Sequence, residues 1–297
     1  MRKALILGIC SMLLVICSAC GNRMPEMVDS VEAPVSAVIT MPPEETSMQE
    51  TVDAPMMEEE KREQLSIARL LQLAKQPLGQ TMYVWGGGWN EEDTGAGADA
   101  RKLGVSPAWA EFAAKQDAAY DYDDTRYQIH DGLDCSGYMG WLVYNLLETT
   151  DGQAGYVTKA TDMAADFAER EFGEFTPAEE VSDWQAGDIM SMKGHVWMAL
   201  GMCEDGSVVL LHASPPGVML SGTRLEDGTV SQAELLANEY MSTYYPDWYE
   251  RYPITVRDYE YLAKSSRMRW SEELLSDAEG LREMSAEEVL KWLFEEE

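Results

Sequence analysis

An α+β fold on an antiparallel sheet is what this sequence predicts, and three observations predict it. Helical patterns come first along the globular region. A run of adjacent short apolar strands follows between residues 188 and 221. Asp205-Gly206 sits between two of these strands as a favoured hairpin turn. Helices followed by neighbouring strands give α+β rather than alternating α/β architecture.

The elements are expected in this order. Glu58 to about Lys75 is helical, since Leu65, Ala68, Leu71, Leu73 and Ala74 recur at helical spacing. Pro77 and Gly79 stop it. Tyr83-Val84-Trp85-Gly86-Gly87-Gly88-Trp89 follows, and its glycines let the backbone approach another element closely. No Gly-Lys-Ser/Thr follows, so a phosphate loop is disfavoured. Residues 90–131 are rich in Ala and Asp and carry no strand pattern. They hold one short helix, Pro107 to Gln116. Loops of this length in a compact domain are usually functional or disordered. Cys135 to Leu147 is the clearest helix, with Met139, Leu142, Val143, Leu146 and Leu147 as its apolar face and Asp134 as N-cap candidate. Thr161 to Glu171 is a second amphipathic helix. Strands are expected at Asp188–Met192, His195–Gly201, Ser207–Ala213, Gly217–Ser221 and Arg267–Trp270. Ser231 with Glu234, and Ser285 with Glu288, form capping boxes for two further helices, the second C-terminal.

The N-terminus reads as a wrapper. Met1-Arg2-Lys3 precedes an apolar run from Ala4 to about Ile16, the length of a secretory signal and too short to span a membrane. It ends Cys17-Ser18-Ala19-Cys20-Gly21, which resembles a bacterial lipobox, with Cys17 where Leu is usual. The resemblance implies removal of residues 1–19 and acylation of Cys20. The alternative is ordinary cleavage after Ala19, leaving Cys20 free. Residues 20–57 have no apolar periodicity, are acidic with Arg23 as their only basic residue, and carry several prolines. They read as a disordered tether, with a reach of roughly 35 Å. Residues 58–297 form one domain with room for a sizeable core.

Net charge is −31, and Arg2 and Lys3 would leave with the signal. Nucleic acid is therefore not an expected partner, because phosphate binding needs basic patches. Of five cysteines, Cys135 and Cys203 remain in the domain. Both are expected as free thiols, Cys203 as a small buried hydrophobe. No His/Cys/carboxylate group has metal-ligand spacing, so neither a metal nor another cofactor is expected.

The chain has three histidines. Asp134-Cys135-Ser136-Gly137 opens a helix, Gly194-His195-Val196 opens a strand after Gly187-Asp188, and His212-Ala213-Ser214 closes another before Gly217-Val218. A helix N-terminus and a partner imidazole both favour a thiolate. His130 lies five residues before Cys135 and fits no such pattern, so it is read as a surface residue. The Tyr83-Val84-Trp85-Gly86-Gly87, Asp-Cys-Ser-Gly, Gly-His-Val and His-Ala-Ser blocks, in this order over about residues 80–222, resemble the NlpC/P60 family of cell-wall cysteine peptidases.

The resemblance implies a papain-like fold with the nucleophile helix packed on an antiparallel sheet. It implies Cys135 as nucleophile, His195 as general base and His212 as the residue orienting that base. Tyr83 matches a tyrosine near the thiol. Asp134 and Ser136 match contacts to the free amine of the substrate peptide, although Asp134 is also the N-cap candidate. The implied protein is an extracytoplasmic, lipid-anchored endopeptidase. It would cut peptidoglycan stem peptides at the bond between D-glutamate and the diamino acid. Rival readings are an amidase or acyl or amide transferase of the same fold, and a catalytically idle wall-binding domain. One departure is the insertion at 90–131, expected to border the cleft. A cluster of Tyr240, Tyr244, Tyr245, Trp248, Tyr249 and Tyr252 lies outside the family blocks and reads either as packing or as a cleft wall.

Overall fold

The computed structural model describes residues 65–148 and 150–295. The expected signal, Cys20, the tether and residues 58–64 of the first helix lie outside the described residues. Helix α1, Ile67–Lys75, starts where Ser66 caps it, its hydroxyl accepting from the Arg69 amide at 3.1 Å. Helix α2 is Pro107–Ala113. It ends three residues before the expected Gln116, the chain tightening into turns from Lys115 to Phe112 and from Gln116 to Ala113.

Helix α3, Cys135–Leu147, has the predicted bounds but not the predicted solvent face. Every residue from Cys135 to Leu146 is buried. Its sequence is apolar all round apart from Ser136 and Asn145, and such a helix needs cover on every side. The sheet, α1 and the inserted segment supply it. Helix α4 is Met163–Glu169.

The sheet contains β1 (Gly173–Thr176), β2 (Ile189–Met192), β3 (His195–Met202), β4 (Val208–Ser214), β5 (Gly217–Thr223), β6 (Val256–Arg257) and β7 (Ser266–Trp270). Spatial order is β1-β7-β2-β3-β4-β5-β6. All neighbours run antiparallel except the short β5–β6 pair. The predicted α+β class with a mostly antiparallel sheet is thus observed, and its five predicted strands are present. Strands β1 and β6 escaped the sequence because they are edge strands of four and two residues without buried alternation.

The sheet has two covered faces. Val196, Met198 and Leu200 of β3, with Val209 and Leu211 of β4, enter the larger core beneath α3. Met190, Trp197, Ala199 and Leu210 enter a smaller cluster under Leu262, with Trp184 and Tyr261 packed on it. Helix α5, Gln232–Tyr244, covers β5. Its capping box is only half formed. Ser231 accepts from the Glu234 amide at 3.1 Å, while the Glu234 carboxylate turns to Arg224 at 3.7 Å. At α8, Ala286–Glu295, the box is reciprocal: Ser285 N donates to Glu288 Oε2 at 2.8 Å and Glu288 N to Ser285 Oγ at 3.4 Å. The short helices α6 (Pro246–Arg251) and α7 (Glu260–Lys264) complete the domain.

The inserted segment is part of the core rather than an appendage. Trp109 of α2 is fully buried, edge-on to Trp141 at 5.9 Å. Asn145 of α3 holds it from below, accepting from Gly104 N at 2.6 Å and donating to the Lys102 carbonyl at 3.1 Å. Removing the whole insertion would therefore uncover α3. The aromatic cluster resolves as packing. Tyr252 Oη donates to the Asp117 carbonyl at 2.7 Å, and Arg251 donates to the Ala113 and Gln116 carbonyls at 3.1 and 2.9 Å. Tyr240 and Tyr244 close on Phe294 of α8 at 5.4 and 4.9 Å.

The start of α3 is fixed by backbone contact with the glycine run. The Asp134 amide donates to the Gly87 carbonyl at 3.0 Å. A Cβ on Gly137 would lie 1.9 Å from that same oxygen. Gly137→Ala is therefore expected to destabilise the chain by about 3 kcal/mol, the upper range for overpacking. Urea unfolding followed by tryptophan fluorescence measures it, and a change below about 1 kcal/mol would contradict the contact.

Candidate active site

Asp134 organises the N-terminus of α3. Its Oδ1 accepts from the Gly137 amide at 2.7 Å and from the Ser136 hydroxyl at 2.9 Å. Its Oδ2 accepts from the Gly86 amide at 3.2 Å. Ser136 Oγ in turn accepts from Trp89 Nε1 at 3.0 Å. Both side chains are buried. Of the two roles open for Asp134, the N-cap is the one the structure displays. Burial raises its carboxyl to about 6, against the pull of these hydrogen bonds.

Cys135 is the first helical residue and is only 5 % exposed. The backbone N–H groups of Val196, Ser136 and Cys135 itself lie close enough to pull its pKa down. Those donors favour negative charge on sulfur, or on an oxygen beside it. Burial outweighs them, and with the nearby Asp134 charge it pushes the thiol up to about 12.

His195 and His212 come together as the sequence required. His195 Nε2 and His212 Nδ1 are 3.0 Å apart, with the rings edge-to-face at 5.2 Å. The register explains the pairing: His212 lies on β4 beside the start of β3 and shares the smaller-cluster face with Trp197. His195 is lowered to about 3, by desolvation first and by the Arg257 charge second. His212, fully buried, is lowered for the same reasons.

These directions run against one expectation. A resting thiolate–imidazolium pair is expected from the helix dipole and the imidazole, but burial favours the uncharged form of both partners. No hydrogen bond joins Cys135 to the His195 ring among those of the described residues. Burial thus favours the neutral thiol of Cys135 and the neutral imidazole of His195.

Tyr83 is placed near the thiol. Burial raises its hydroxyl first, and then the charges of Cys135 and Asp134. The insertion lies directly on it. Tyr122 meets Tyr83 edge-on at 5.5 Å, and Tyr120 Oη donates to the Tyr83 carbonyl at 2.7 Å. A concavity of about 200 Å³ opens beside this corner, lined by Gly86, Trp89, Asn90 and Tyr127. Gly86 and Trp89 are the partners of Asp134 and Ser136, so this hollow touches the site. A larger one, about 560 Å³ at Asp205, Arg224 and Tyr259, is lined by none of the site residues.

Two site residues escaped the sequence. Tyr261 lies against His195 at 5.4 Å and His212 at 6.1 Å, and Cys135 raises its hydroxyl after burial does. Arg257 donates from Nε to His212 Nε2 at 3.2 Å. Neither belongs to a motif; both enter through β6 and α7, whose placement is tertiary. His130 stays outside the site, its Nδ1 2.5 Å from Asp99 Oδ2 at an exposed position. Cys203 is buried and free, as is Cys135. Among the described residues no group of three or more His, Cys, Asp or Glu could hold a metal ion.

No protein-family model, curated protein or solved structure matches the chain.

With burial holding the thiol far above its ordinary range, few molecules carry a Cys135 thiolate at pH 7. Iodoacetamide labelling of Cys135 in the free protein is thus expected to climb steadily with pH through the alkaline range. Peptide-resolved mass spectrometry follows it. A labelling plateau already reached below pH 7 would show a resting ion pair instead.

Proposed function

We propose that this protein is a cysteine endopeptidase of the NlpC/P60 type with a papain-like catalytic arrangement. Its substrate would be the stem peptide of peptidoglycan, cut between D-glutamate and the diamino acid. One observation carries the reading: a helix-N-terminal cysteine whose thiolate is favoured by the amide of Val196, the residue next to a histidine held 3.0 Å from a second histidine. An inert buried cysteine has no use for that company.

The steps follow from the groups present. His195 takes the Cys135 proton as the sulfur attacks the amide carbon, forming a C–S bond and a negative oxygen. The amides at the start of α3 would receive that oxygen. The C–N bond breaks as His195 returns the proton to the leaving amine. Water then attacks the thioester with His195 as base, releasing the acid and restoring the thiol. His212 orients the His195 ring. The lipobox-like Cys17-Ser18-Ala19-Cys20 and the acidic tether support a membrane-anchored place facing the cell wall.

A second reading, a wall-binding domain without catalysis, is favoured by the enclosed and neutral thiol. Digestion of peptidoglycan of known stem composition, with fragments identified by mass, separates the two. The native chain is expected to release fragments ending at D-glutamate. Cys135→Ala and His195→Ala are each expected to lose at least about 10³-fold in rate. Full activity in Cys135→Ala would refute the mechanism, and an inactive native chain would favour the binding domain.

The insertion bears on access. Tyr122→Ala removes the ring set on Tyr83 without touching the Trp109 anchor. It is expected to change KM on stem peptides at least threefold with little loss of stability. Unchanged KM and kcat would remove the insertion from the cleft.

A further inference from the structure

Arg257 is half-buried, and the charges of Tyr261 and Asp258 favour its cation, although no ion pair joins it to a carboxylate among the described residues. Its guanidinium donates from Nε to His212 Nε2 at 3.2 Å, from Nη1 to the Val256 carbonyl at 2.9 Å, and from Nη2 towards Met219 Sδ at 3.7 Å. One N–H on each Nη is left over. Those N–H groups remain able to take an anionic partner.

The donor inventory fixes the protons around it. A guanidinium only donates, so His212 Nε2 must present its lone pair. Neutral His212 then carries its proton on Nδ1 and donates it to His195 Nε2. Neutral His195 in turn carries its proton on Nδ1, and the nitrogen left to meet a thiol is already protonated. A base is needed there. Ser221 Oγ also lies 3.0 Å from His212 Nε2. If the guanidinium left, His212 could hold its proton on Nε2 and donate it to Ser221. His212 Nδ1 would then accept from His195 Nε2, and His195 Nδ1 would be free. Both frames contain two ring protons, so the change is a relocation that needs no co-reactant. Tyr261 is the other titratable side chain against both rings.

We propose that Arg257 is a positioning residue which holds the His212–His195 pair in the non-basic frame. A carboxylate on the peptide substrate, drawing the guanidinium off His212, releases the pair onto Ser221. The carboxylate arm rests on the peptidase reading; the proton frame does not.

The test uses the whole chain labelled with ¹⁵N-histidine. Three rings are present, and His130→Gln assigns the exposed one. At pH 7 the native protein is expected to show His195 and His212 as Nδ1–H tautomers. Arg257→Met is expected to move both to Nε2–H and to speed iodoacetamide labelling of Cys135 at least tenfold. Nε2–H tautomers in the native protein, or no change in Arg257→Met, would overturn the proposal. If that variant does not fold, the native tautomers still decide the frame. Paired peptides with a carboxylate or a carboxamide beside the cleaved bond test the second arm. The native kcat/KM is expected to favour the carboxylate at least tenfold, and Arg257→Met to abolish the preference. Equal native rates would overturn the carboxylate trigger. If neither peptide is cleaved while the tautomers are as expected, the peptidase reading fails and the frame stands.

Discussion

The site hangs on one backbone contact, the meeting of the Gly86-Gly87-Gly88 turn with the first turn of α3. Gly87 offers its carbonyl to the Asp134 amide, and Gly86 donates its amide to the Asp134 carboxylate. Gly137 sits so close to Gly87 that no side chain fits between them. This knot sets where the helix begins. Because it begins at Cys135, the sulfur lies among unsatisfied helix N–H groups and against the amide of Val196. The same turn brings Tyr83 to the thiol and Trp89 to Ser136.

Enclosure then governs the electrostatics. A helix N-terminus and an imidazole would ionise an accessible cysteine, but a charge must be solvated by something. Here the groups that favour charge on sulfur are backbone amides, and Arg257 is spent on His212. Burial therefore wins on both sides of the pair, raising the thiol and lowering the imidazole.

The insertion and the C-terminal aromatics cooperate in that enclosure. Trp109 anchors the insertion on Trp141, and Arg251 and Tyr252 clamp the end of α2. Its remaining chain, from Tyr120 to Tyr127, is laid over Tyr83 and Trp85, where Arg126 stacks at 5.0 Å on the Trp85 ring. A stretch without regular pattern in the sequence is ordered because its few aromatic residues find buried partners.

Local rules account for much of what the sequence determined. The bounds of α3 follow from Asp134 and apolar spacing, five strands from apolar runs and turn residues, and the His195–His212 meeting from strand order. The edge strand carrying Arg257 was not legible, because two residues without alternation have no signature. Nor was the face that Tyr261 covers, since nothing local ties it to His195. The charge state of Cys135 could not be read either. Spacing reports which groups are near, whereas ionisation depends on how much water is left, and only the tertiary structure decides that.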